Sequence, residues 1–102
     1  MDKALDDVNV IDATNLNDIM LTVADPEEAV QYFTRASAKK PDRIDLKRGL
    51  AKSLVRAKRP SDAAKVWAMV ATSAEATNED KVAYADALIR DGQWDEAAKV
   101  LE

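Results

Sequence analysis

The chain has 102 residues, 47% of them hydrophobic but only 5% aromatic, with 19 Ala, two Gly and three Pro; this suits one all-α domain built from closely approaching helices. It contains neither Cys nor His, which removes disulfides, thiolate chemistry, the common zinc ligands and the usual general base, so no metal or cofactor is expected. The net charge of −4 is laid out unevenly, as −7 over residues 1–34, +8 over 35–67 and −5 over 68–102.

Residues 1–9 are expected to be a leader, in which Ala4, Leu5 and Val8 offer a single amphipathic turn. This start is acidic and lacks the basic and apolar regions of a signal peptide. A cytoplasmic protein, or part of a secreted or lipid-anchored parent, is expected. No apolar run approaches the roughly 18 residues of a membrane span.

From about Thr14 to Val23, Leu16, Ile19, Met20 and Val23 recur at helical spacing. A second helix is predicted over Pro26 to Lys39. Asp25 is a suitable N-cap, Pro26 fits the first turn, and Glu28 stands three after the cap, as a capping box requires. Its stripe is Ala29, Phe33 and Ala36, and Pro41 forbids continuation. Asp42 is the expected cap of a third helix, with Asp45 three later and Leu46, Leu50 and Leu54 as its apolar face, ending near Ala57. Gly49 inside that helix costs on the order of 1 kcal/mol against Ala, which close approach by a neighbouring helix would explain.

Lys58-Arg59 forms a short turn, and Pro60 opens a fourth helix that runs to about Ser73. After the joint Ala74-Glu75-Ala76, Thr77 caps a fifth helix with Asp80 three later; Val82, Tyr84, Ala85 and Leu88 continue its stripe. Asp91-Gly92 ends it, Gly92 suiting the left-handed position. A sixth helix begins near Gln93 and carries Trp94, Ala97, Val100 and Leu101.

The spacing of Ala29, Phe33 and Ala36 returns 34 residues later as Ala63, Trp67 and Val70, and again as Ala97 and Leu101. Two helices per unit at that period mark a helical repeat array, with repeats at 10–43, 44–77 and 78–102, the last incomplete. On this period the chain resembles the tetratricopeptide repeat (TPR) family. The first copy matches with Leu16, Ala29, Phe33, Ala36 and Pro41, and the second with Leu50, Ala51, Leu54, Ala63 and Trp67, but with Glu75 in the Pro slot. The third matches with Tyr84, Ala85, Leu88, Gly92, Trp94, Ala97 and Leu101. The Trp common early in the family's first helix is missing from all copies. The resemblance implies a right-handed TPR-like superhelix of antiparallel helix pairs, about six helices in all. Within the family, the chain is similar to the repeat regions of bacterial secretion and pilus-assembly lipoproteins of the Tad/Flp type, although it has no Cys to lipidate.

The resemblance also implies a non-catalytic interaction scaffold whose groove is lined by the first helix of each pair. The slots are Ile11, Thr14, Asp18, Leu21 and Thr22; then Asp45, Arg48, Lys52, Val55 and Arg56; then Glu79, Val82, Asp86, Ile89 and Arg90. Arg48, Lys52 and Arg56 recur every fourth residue and align on one helix face, beside the apolar Val55 and Ile89. With Asp86 and Arg90 they form the expected site for an acidic peptide or partner helix, set against the plainer reading of a solvated charged face. A clamp for a C-terminal carboxylate does not fit, because its slots hold Thr14, Asp18, Gly49, Glu79 and Ala83. The basic middle has no interleaved aromatics and acidic flanks, which disfavours nucleic acid.

Paired acids fall near helix starts, where caps and the macrodipole explain them, and no Ser has a His to activate it. No catalytic residue is assigned. Trp67 and Trp94 read as packing residues. The competing expectation is a piece of a longer array that self-associates through its end helix, by Trp94, Ala97 and Leu101.

Overall fold

The computed structural model describes residues 16–102. The fold is all-α and TPR-like, with six helices among the described residues. These are α1 over 16–22, α2 Pro26–Lys39, α3 Ile44–Arg56, α4 Pro60–Ala71, α5 Asn78–Arg90 and α6 Trp94–Leu101. The leader, and Ile11 and Thr14 of the first set of groove slots, lie outside the described residues. From α2 onward each helix packs on the next, α2 on α3, α3 on α4, α4 on α5 and α5 on α6.

Local chemistry sets most of the boundaries. Asp25 accepts hydrogen bonds from the backbone N–H groups of Glu27 and Glu28, and Pro26 follows at the first helical position. Glu28 makes no return bond to the cap. At α5 the box is complete: Asp80 N–H donates to Thr77 Oγ1 at 3.2 Å, and Thr77 N–H donates to Asp80 Oδ2 at 2.9 Å. The tight turns after α3 and α5 both need a left-handed residue, Lys58 (φ 61°) and Gly92 (φ 78°). Gly92 adopts it freely, whereas Lys58 bears a cost of about 1 kcal/mol.

The core is made of small residues in register. Ala29, Ala63 and Ala97 occupy one buried slot, and the pairs Ala51/Ala85 and Leu54/Leu88 occupy two more, one period apart. Phe33, Trp67 and Val70 fill the space that these alanines leave. Gly49 lies against the α2 side chain Phe33, and a Cβ there would lie 2.7 Å from Phe33 Cδ1. The ring of Phe33 therefore occupies the volume that any other side chain at position 49 would need.

Several expectations are corrected. Asp42 does not cap α3; Arg43 is the N-cap residue, and Asp45 is drawn into a two-pronged pair with its guanidinium at 2.7 and 2.9 Å. Leu50 is only half-buried, packed against the core's margin. Val82 is exposed, and Ala87 takes the buried position in α5 instead. Leu16 and Ile19 of α1, and Val23 just after it, are exposed as well. Polar bonds tie α1 down: Arg56 donates to the carbonyls of Leu21 and Ala24 at 2.7 and 3.0 Å, and the Tyr32 hydroxyl donates to Asn17 Oδ1 at 2.6 Å. Trp94 is not a packing residue, being 65% exposed where Trp67 is 3% exposed. No described helix is long and apolar enough to cross a membrane.

Candidate functional site

The first helix of each pair supplies the candidate groove. Between α1 and α3 lies a depression of about 380 Å³, with Asp18 and Leu21 on one wall and Arg48, Gly49 and Lys52 on the other. Phe33 lies beneath, where Gly49 leaves room for its ring. The absent Cβ that lets α2 approach α3 thus also shapes the floor of this depression.

The four cations expected to line the groove meet different fates. Arg48 reaches from α3 to the start of α5. Its Nε and one terminal nitrogen each donate to Asp80 at 2.8 Å, and that nitrogen also donates to the Glu75 carbonyl at 3.2 Å. Asp80 is buried, and the Arg48 guanidinium, helped by the Thr77 N–H, holds its carboxyl below the usual carboxylate range against the opposing effect of burial. Arg56 caps the carbonyl end of α1, the favoured place for a cation. Arg90 pairs with Asp86 one turn back, at 2.8 Å on the exposed surface of α5. Lys52 is exposed and bonds to no described side chain or backbone group.

The groove slots of α5 sit one period further on. Val82 and Ile89 are exposed there, while Val55 on α3 is half-buried and packs at the edge of the core. In α6, Ala97 is buried, whereas Trp94 and Leu101 are exposed.

The sequence reading missed what the basic segment is joined to. Arg48 to Asp80, Arg59 to Glu27 at 3.3 Å, and Arg56 to the end of α1 all run from the second repeat to its neighbours. The acidic, basic, acidic order of the chain carried that signal, since oppositely charged neighbours in a stacked array face one another. Which Arg meets which carboxylate depends on helix orientation.

A family model of the tetratricopeptide repeat matches residues 21–79, more than half of the chain. The chain belongs to the tetratricopeptide repeat family. The match covers the joint where Arg56 holds α1 and reaches the start of α5 beside Asp80. It describes a helical repeat that serves as a protein-interaction scaffold, and gives no support to the pilus-assembly type. No curated protein and no solved structure matches the chain.

Proposed function

We propose that the chain is a non-catalytic protein-interaction module that holds an acidic peptide or partner helix in the groove between α1 and α3. The observation that supports this is the depression walled by Leu21, Gly49 and Lys52, which joins an apolar surface to an uncommitted cation. Val82 and Ile89 are further exposed apolar residues, on α5. The guanidinium groups of Arg48, Arg56 and Arg90 are already engaged within the chain. Charge reversal at Arg48 would strand the buried Asp80, so it is a poor probe of binding. Lys52→Glu is a better one. Partner captured from the source cell by the wild-type chain should be lost with Lys52→Glu while the far-ultraviolet dichroism stays unchanged. Equal capture by both would refute the groove assignment.

The second reading, a piece of a longer array that self-associates, rests on the exposed Trp94 and Leu101 of α6. Bacterial pilus assembly or secretion is one setting for such an array. Light scattering that reports a monomer up to millimolar concentration would count against it.

A further inference from the structure

A second groove lies on the other side of the rim formed by Asn17 and Arg43, residues that line both depressions. It is the larger of the two, about 610 Å³, and runs along α2 between α1 and the first turn of α3. Its apolar surface comes from Met20, Tyr32, Ala36 and Leu46.

The charges around it differ from those of the groove between α1 and α3. Arg35, Lys39 and Lys40 line it, and none of the three makes an ion pair or side-chain hydrogen bond with a described residue. Among the described residues Glu28 is the one carboxylate that lines it, and Arg43 is already matched by Asp45. Lys39 and Lys40 stand at the carbonyl end of α2, where the macrodipole alone would favour cations. Arg35 is a turn earlier and has no such reason. Among the described residues, the groove between α1 and α3 thus has Arg48 and Arg43 paired and Lys52 free, whereas the groove along α2 has three cations without a partner.

We infer that this groove binds an acidic amphipathic helix from another protein, as a site separate from the one between α1 and α3. Arg35 and Lys39 are four residues apart, about 6 Å along the axis, and so meet carboxylates one helical turn apart on an opposing helix. Between them Ala36 leaves space for an apolar side chain to reach Met20, Tyr32 and Leu46. Burial of that side chain supplies affinity, and the paired charges set register and direction.

The test uses a fluorescein-labelled 16-residue helical peptide with Glu at i and i+4 and Leu between them on the same face. Binding is read by anisotropy against the full chain. Arg35→Glu with Lys39→Glu should weaken it at least about tenfold, and raising the salt should weaken it further, because rim charges govern encounter and specificity. Lys52→Glu should change it less than about twofold. All three residues are exposed, so dichroism should report an unaltered fold. The inference is overturned by an absence of binding at millimolar peptide, or by a loss with Lys52→Glu in place of the double variant. It is also overturned if a DNA duplex of equal charge binds more tightly than the peptide. Binding that arises only after removal of residues 1–15 would assign the groove to the chain's own acidic start and equally overturn it.

Discussion

The same small slot is filled alike in all three repeats, by Ala29, Ala63 and Ala97, yet the large residue four positions later fares differently. Phe33 and Trp67 are buried, while Leu101 in α6 is exposed. Trp67 sits in α4, which is flanked by both α3 and α5; among the described helices α6 packs mainly on α5. An apolar stripe on a helix needs a neighbour on each side, and identical spacing gives burial or exposure according to how many neighbours are present. Polar bonds follow the same division. The buried carboxylate at the start of α5 is paired across to α3, whereas the exposed pairs further along α5 and on α6, Arg90 with Asp86 and Lys99 with Glu96, stay within one helix.

The sharpest way to break this comparison is to truncate both tryptophans. Trp67→Ala should lower unfolding free energy by about 3–5 kcal/mol, because it opens a cavity among Ala-sized neighbours. Trp94→Ala should change it by less than about 0.5 kcal/mol, as surface substitutions do. Urea denaturation of the two variants decides it, and equal losses would mean that α6 is covered as α4 is.

Removing Arg48 comes next. Arg48→Ala leaves the buried Asp80 with the Thr77 N–H as its remaining bonded partner and should cost on the order of 2 kcal/mol. The pH dependence follows. Asp80 has a folded pKa below its unfolded value near 3.9, so its contribution is present above that pH and is lost as pH falls through the folded value. Thermal melts at stepped pH should therefore show an acid-side decline in the wild type that is shallower in Asp80→Asn.

The smallest effect tests packing in the shared slot. Ala63→Leu should over-pack the α3–α4 and α4–α5 contacts and cost roughly 1–3 kcal/mol in chemical denaturation. An unchanged midpoint would mean that Ala63 does not face the core.

Much of this molecule was legible before any coordinates. The Ala spacing, the prolines at helix starts, the Thr77–Asp80 box and the turn at Gly92 are local features, and local sterics and hydrogen bonding carry them through unchanged. The fate of the cations was harder to read. Arg48, Lys52 and Arg56 share one helix face, yet the first reaches α5, the last reaches α1, and the middle one is exposed with no partner among the described residues. A further group of cations without a described partner lies at the end of α2, at Arg35, Lys39 and Lys40, where periodicity gave no reason to look.

What the sequence by itself determined is the set of helices and the repeat that stacks them, because capping, chain sterics and apolar period act within a few residues. The tertiary structure alone decided which side chains are left over to meet a partner. That outcome depends on distances between residues some 32 positions apart, such as Arg48 and Asp80, where a long guanidinium satisfies a buried carboxylate before any outside ligand can.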